Sequence, residues 1–536
     1  MGEVPEASPH RPAWQRALAL VRPSHRHTAF SATLLLMASA MLSRVIGLVR
    51  VKYIAYLLGR SAAADAFNAA FQLPDMISYF LIGGAASITL VTMLSRYRDS
   101  GQEAEGERAM SVILTIMGCV LSVAILMAEI FAPVFVHLLI GFDGHPDTAA
   151  LCVHLTRILL PAQLFFLAGG VFSAVLLVQK QFAMQAITPL VYNLGTIFGG
   201  VILGKMMGVS SLALGTLAGA MLGPFALNAV VAYRTGARYR PAFDIANPGF
   251  REWVRLSIPL MLGVSLVSFD GWIMNHFASK DTGAISALVY AKMLFTAPVA
   301  LGQAAGAASL PFLATLFGKS NAAGDLGPFS AAVNASVSRI LAFSLLASAW
   351  MIGLAFPAVD LLFRGGSFHR ADAGTMAVYF GIFSIALCFW SAQAIYARAF
   401  YAAGNTLAPM IAGTIVVLVS LPIYGGLYRI HGATGLAIAS DIGIGVQTLA
   451  LAVMLERRRM VALLGLEYVE LARSALAAVL ALGGIYLLRH FMAPDGRWGD
   501  VLLIAAGTAV WLLIVVAVLR LSRSSLPQQL LARFRT

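Results

Sequence analysis

Apolar runs of roughly 20 residues recur along the whole of this 536-residue chain, and ~20 residues is the length an α-helix needs to cross the ~30 Å hydrocarbon core of a bilayer. The chain is 59% hydrophobic and only 11% charged, whereas soluble domains carry about 25% charged residues. Hydrocarbon offers a backbone no water, so each crossing segment must satisfy its own N–H and C=O groups, and helices do this. The sequence therefore predicts an all-α polytopic membrane protein.

Hydropathy places about fourteen spans, at 30–58, 66–96, 109–137, 151–178, 185–205, 211–233, 253–277, 284–317, 329–356, 373–401, 405–428, 433–455, 471–491 and 499–521, each near the length a tilted helix needs. Short loops join them, and no soluble domain interrupts them. The net charge of +13 is concentrated at the ends of alternate spans, as topology determinants are, and does not indicate a nucleic-acid partner. Arg96, Arg98, Arg108, Arg234, Arg238 and Arg457–Arg459 belong to one set of loops, and far fewer cations occupy the other. The expectation is a multi-pass protein of the bacterial cytoplasmic (inner) membrane with both termini cytoplasmic. Residues 1–28 hold four arginines without the apolar core and cleavage site of a signal peptide, and read as a cytoplasmic tail; residues 522–536 read as a second.

The chain also repeats. Gly84-Ala85-Ala86-Ser87-Ile88 returns as Gly306-Ala307-Ala308-Ser309-Leu310, a shift of 222 residues, and Pro74 returns as Pro298, a shift of 224. The period covers six spans, so two lobes, 29–234 and 253–456, would insert in the same orientation. Parallel repeats of this kind are a transporter architecture with the substrate site at the repeat interface. The last two spans, 471–521, fall outside the repeat.

The first span carries charge where hydrocarbon would surround it, in Ser43-Arg44-Val45-Ile46-Gly47-Leu48-Val49-Arg50-Val51-Lys52. An arginine at bilayer depth costs at least ~2.5–3.5 kcal/mol on insertion scales and marks a polar pathway. Three cations imply an anionic passenger, and a guanidinium offers paired donors suited to phosphate oxygens. On a straight helix Arg44 and Lys52 are about 80° apart, and Arg50 is about 120° from Arg44. The plainer reading of Arg50 and Lys52 is snorkelling toward an interface.

Later spans add Asp65, Asp75, Glu129, Arg157, Asp270, His276, Lys292, Arg339, Arg398 and Asp441. Asp65 opens the second span, where a carboxylate also suits the N-terminal dipole of its own helix. Asp270 and Lys292 lie on the repeat partners of spans one and two; they either face the substrate or form an ion pair holding their helices together. Asp441 is a further candidate, with pairing to Arg398 as its structural alternative. No phosphate-cradling GxxxxGK[ST], HExxH or aspartate cluster occurs, so no nucleotide, metal or other cofactor and no enzymatic site is expected. Cys119, Cys152 and Cys388 lack metal-ligand spacing and read as small buried residues.

The Ser43–Arg50 segment, with Ala64-Asp65-Ala66-Phe67, Phe71-Gln72-Leu73-Pro74, Leu262-Gly263-Val264-Ser265, Asn275, Leu310-Pro311 and Phe400-Tyr401, resembles the MurJ/MviN family of lipid II flippases within the multidrug/oligosaccharidyl-lipid/polysaccharide exporter superfamily. The resemblance implies two six-helix lobes around a cationic cavity and a lipid-tail groove formed by the last two helices. It also implies translocation of undecaprenyl-diphosphate-linked peptidoglycan precursor by alternating access, with lipid II, membrane lipids and the cell-wall synthesis machinery as partners. Arg44, Arg50 and Asp65 occupy family positions, and Lys292 stands one residue from the family's cationic position on span eight. The resemblance implies Arg44, Arg50 and Lys292 as the ligands of the substrate diphosphate, with Lys52, Asp65, Asp270 and Asp441 as further cavity or coupling candidates. The chain departs from the pattern at Val51, where an aspartate is usual, at Ser78-Tyr79, at Met293 and at Thr296. Those departures leave open a flippase for another lipid-linked glycan. The remaining alternatives are an ion-coupled small-molecule exporter, an enzyme acting on polyprenyl diphosphates and an envelope scaffold.

Overall fold

The computed structural model describes residues 29–82, 84–261, 266–492 and 496–526. The tail 1–28, the end of the tail 522–536, Gly83 and the Leu262–Ser265 motif lie outside the described residues. Among the described residues all named elements are helical: α1 (Ala29–Leu58), α2 (Ala62–Ala69), α3 (Gln72–Ile77), α4 (Gly84–Asp99), α5 (Glu103–Leu139), α6 (Pro146–Leu159), α7 (Ala162–Val178), α8 (Ala183–Met207), α9 (Ser210–Ala220), α10 (Asn228–Arg234), α11 (Pro248–Met261), α12 (Leu266–Ala278), α13 (Ala284–Ala322), α14 (Gly327–Gly353), α15 (Ala355–Phe363), α16 (Arg370–Ile385), α17 (Leu387–Ala402), α18 (Leu407–Arg457), α19 (Tyr468–Phe491) and α20 (Arg497–Leu521). This is a polytopic helical membrane protein.

Among the described residues ten helical stretches are long and apolar enough to cross a membrane, against the fourteen spans expected of the whole chain. Part of the difference has a backbone cause. The 51-residue α18 is broken at Gly432, whose φ of 57° and ψ of −142° are non-helical, so one stretch contains two of the expected spans. The expected span 66–96 is divided between α2, α3, a π-helical turn (Ser78–Ile82) and α4. Prolines sit inside α5, α8, α13 and α18, where each removes a backbone donor.

The chain divides into two compact units. One comprises the described residues of Met1–Arg50, Leu73–Ala132 and His154–Leu262. Its tightest seam joins α8 to α9. A Cβ on Gly199 would lie 2.5 Å from the Gly215 Cα, and one on Gly195 would lie 2.5 Å from the Gly219 Cα. The two Gly-x-x-x-Gly faces thus bring backbones into direct contact, the means by which helices associate where no hydrophobic effect separates them from lipid. Thr196 and Thr216 share a 2.8 Å hydroxyl hydrogen bond in this seam, and the outward residues Val201, Ile202 and Met206 are exposed, as lipid-facing side chains are.

The other unit comprises Val51–Gln72, Pro133–Val153 and the described residues of Gly263–Thr536. Phe329, Val333, Phe400, Leu451 and Leu455 form the centre of its apolar core. The C-terminal pair packs Ala477 and Ala481 of α19 against Val515 and Leu519 of α20. Two indole hydrogen bonds tie α20 to α14, from Trp350 to Thr508 Oγ1 at 2.9 Å and from Trp511 to the Leu346 carbonyl at 2.9 Å. Both satisfy polar atoms that lipid could not.

Candidate functional site

In the first unit the site is built on α1. Arg44 is exposed and Arg50 half-buried, in keeping with their different helical phases. The Arg50 guanidinium carbon lies 5.7 Å from the centroid of the Tyr192 ring on α8, a cation–π arrangement, and Phe166 packs edge-on against the same ring at 5.3 Å. Asp75, at the start of α3, is close enough to Arg50 for the two charges to interact. Among the described residues the buried Arg50 Nε has no hydrogen-bond partner. One side of this cation is therefore held by an aromatic face and a carboxylate, while a donor remains available to an anionic oxygen.

Lys52, two residues on, is exposed, whereas Val51 between them is buried. The position where the family usually has an aspartate thus faces the interior here, and an apolar side chain fills it. Thr296 donates its hydroxyl to the Met293 carbonyl at 2.6 Å, in the turn preceding Pro298.

In the second unit Asp270, Lys292 and Asp441 come together. The Lys292 ammonium contacts the Asp270 carboxylate, which also accepts the Tyr424 hydroxyl and the Ser440 hydroxyl, the latter at 2.9 Å. Asp441, half-buried, attracts the same ammonium. Arg398 instead returns a 3.4 Å hydrogen bond to the Ala394 carbonyl, so the charge partner of Asp441 is Lys292 rather than Arg398. The group brings two carboxyl side chains to one ammonium in a protein interior.

Asp65, also in this unit, caps a different helix from its own. The N-terminus of α2 is capped by Ser61, whose Oγ accepts the Ala64 N–H at 3.2 Å. The buried Asp65 carboxylate instead accepts the backbone N–H groups of Gly283 at 2.5 Å and Ser286 at 2.7 Å, at the start of α13. Those are orphan donors at the positive end of a helix dipole, the place where a buried carboxylate is best stabilised. Around it Arg60 donates Nε to the Gly283 carbonyl at 3.2 Å, and its Nη1 lies 3.6 Å from Asp372 Oδ1. Asn275 donates to Gln72 at 3.0 Å, and Gln72 to the Leu139 carbonyl at 3.3 Å. Among the described residues no group of three or more His, Cys, Asp or Glu side chains could hold a metal ion.

Sequence reasoning missed four partners here. Asp75 was visible as an intramembrane acid next to Pro74 but had no assigned role. Tyr192, Tyr424 and Ser440 carry no charge and so gave no signal.

Comparison with known proteins decides the family. The model of the family described as "Lipid II flippase MurJ" matches residues 54–507. The chain belongs to the lipid II flippase MurJ family. Curated relatives named "Probable lipid II flippase MurJ" include one from Haemophilus influenzae, 28% identical over 419 residues that cover 75% of this chain and 81% of the relative. Another, from Thermotoga maritima, is 26% identical over 412 residues, 76% and 82% of the two chains. Among solved structures, a lipid II flippase MurJ in an inward closed conformation superposes with a TM-score of 0.75 at 21% identity, covering 91% of this chain and 99% of that one. An inward-facing multidrug resistance MATE family transporter of the MOP superfamily gives 0.61 at 15% identity, covering 80% and 98%. These two likenesses establish the shared fold.

Proposed function

We propose that this chain carries lipid II across the bacterial cytoplasmic membrane, with Arg44 and Arg50 as the ligands of its diphosphate. The reading is carried by family membership across 54–507 together with a cation inside α1 whose Nε is unpartnered among the described residues. Diphosphate oxygens match guanidinium donors in pairs, and the uncharged prenyl tail needs only lipid. Transport rather than covalent chemistry suffices for this task.

The moving parts in this reading are the lobes 29–234 and 253–456, alternating access between the two faces. Helices spanning 471–521 receive the tail, and both termini are cytoplasmic. The hydrogen bonds of Asp65 to Gly283 and Ser286 would then belong to the outer gate. Lys292 already engages Asp270, so a diphosphate would have to compete for it. Asp270 and Asp441, two acidic side chains around one ammonium, are the candidates for coupling to an ion, and Lys52 remains a secondary phosphate contact. Cell-wall synthesis enzymes, which consume the flipped precursor, are the natural partners.

The deciding experiment is rescue of a strain depleted of its own lipid II flippase. Growth restored by the wild-type chain and lost with Arg44→Ala, at equal membrane levels, supports the reading. Failure of the wild-type chain to rescue would shift the substrate to another lipid-linked glycan, the direction to which Val51, Ser78, Tyr79 and Met293 point.

A further inference from the structure

The loop between α15 and α16 carries a second, unassigned arrangement, all of it within the second unit. Gly365 and Phe368 close a tight turn by exchanging backbone hydrogen bonds of 3.0 and 3.1 Å. The turn docks on the C-terminal end of α1: Ser367 N–H donates to the Tyr56 carbonyl at 2.8 Å, and Ser367 Oγ to the Leu57 carbonyl at 2.9 Å. These carbonyls are orphan acceptors of a helix terminus, and the turn satisfies them. The approach is backbone to backbone. A Cβ on Gly366 would stand 2.2 Å from the Tyr56 oxygen, and its φ of +56° is one that side chains resist.

The same turn is held from behind by α20. Arg364, which opens it, donates Nε to Asp360 Oδ1 at 2.8 Å and reaches Asp500, in the first turn of α20, at 3.3 Å. Arg497 closes the bracket by donating Nη2 to the Arg364 carbonyl at 2.6 Å. Asp360 and Asp500 are both buried and both draw charge balance from Arg364, Asp500 from Arg370 as well. Behind the turn, Phe363 and Phe368 pack on Tyr290 of α13, stacked at 6.0 Å in the first case. The Tyr290 hydroxyl lies 3.5 Å from the Gly59 carbonyl.

We infer that the Arg364–Phe368 turn is a latch on the end of α1 and that α20 holds it shut through Arg364, so that displacement of α20 is passed to α1. Arg364, Asp500 and Arg497 are positioning residues. They lie outside the set that would touch the diphosphate, and act on how readily the gate around Asp65 opens. This rests on the alternating-access reading for its role in transport, but the contact itself requires no substrate.

The test uses the full chain, purified in detergent, with its three cysteines replaced by alanine and a single reporter cysteine at Ala287, which is buried in α13 beside the gate. The alkylation rate by a maleimide reports opening. Gly366→Ala, which forces the turn off Tyr56, should speed alkylation. Asp500→Asn should also speed it, by about tenfold, the size expected for loss of one charge-assisted hydrogen bond. Trp511→Phe, which removes one of the two indole hydrogen bonds between α14 and α20 and leaves the other to hold α20 in place, should leave the rate unchanged. An effect of Gly366→Ala without one of Asp500→Asn would overturn the coupling, and equal acceleration by Trp511→Phe would reduce it to general loosening. No effect of either latch variant would remove the latch itself. Because lipid II is absent from the assay, none of these outcomes depends on the substrate.

Discussion

The ammonium of Lys292 is seated against the carboxylate of Asp270, on helices that meet only in the folded protein. Asp270 is 1% exposed, and breaking a buried pair by removing one partner costs about 3–5 kcal/mol because the other charge is stranded. Lys292→Met should therefore lower the thermal midpoint of the purified protein and impair transport. Adding Asp270→Asn should restore the midpoint. If transport stays lost in the stable double variant, Lys292 has a ligand role beyond the pair.

Arg44 and Arg50 should be separable by chemistry. Arg50 is oriented by Tyr192 and Asp75, so Arg50→Lys should lose most transport despite keeping the charge, since an ammonium lacks the planar fork. Asp75→Asn should leave Arg50 in place but change the affinity for substrate more than the maximal rate. Initial rates of lipid II appearance at the outer leaflet of proteoliposomes measure both. An Arg50→Lys variant of full activity would remove bidentate recognition from the mechanism.

Asp65 should be sensitive to charge as well as shape. Its carboxylate accepts two backbone N–H groups at the start of α13, and hydrogen bonds to a charged group contribute about 1.5–3 kcal/mol each. Asp65→Asn, with one acceptor oxygen in place of two, should destabilise the contact; Asp65→Ala should do so more. The expected readout is faster alkylation at the Ala287 reporter in the order alanine, asparagine, wild type.

Transport should depend on the membrane potential or an ion gradient rather than on nucleotide. The helices contain charged groups that alternating access would move through the field, and each elementary charge moved across the whole membrane is worth about 2.3 kcal/mol per 100 mV. Valinomycin with matched potassium, followed by a protonophore and a sodium ionophore, would identify the source. Undiminished flipping after all gradients are collapsed would contradict the prediction.

The α8–α9 seam offers a structural control. Gly199→Leu would drive a side chain into the Gly215 backbone, where no rotamer change makes room, and should prevent correct assembly. The measurement is membrane protein level and a monodisperse elution profile, both of which the charge substitutions above should preserve.

The helical class was legible in the sequence because apolar length and backbone hydrogen bonding leave a membrane segment few alternatives. The charges of α1 were legible for a related reason: Arg44 and Arg50 stand where hydrocarbon would otherwise surround the helix, which marks them as candidates. Family membership followed from residues contiguous in the chain. Pairings did not follow in the same way. Asp65 meets Gly283 and Ser286, Ser367 meets Tyr56, and Lys292 meets Asp270 with Tyr424 and Ser440 closing around it, across separations that periodicity cannot bridge. Which face of a helix a residue presents depends on kinks at prolines and on breaks such as Gly432, and hydropathy does not register either. Polar groups in lipid must find partners within the protein, and tertiary packing alone decided which carboxylate, carbonyl or ring each of them found.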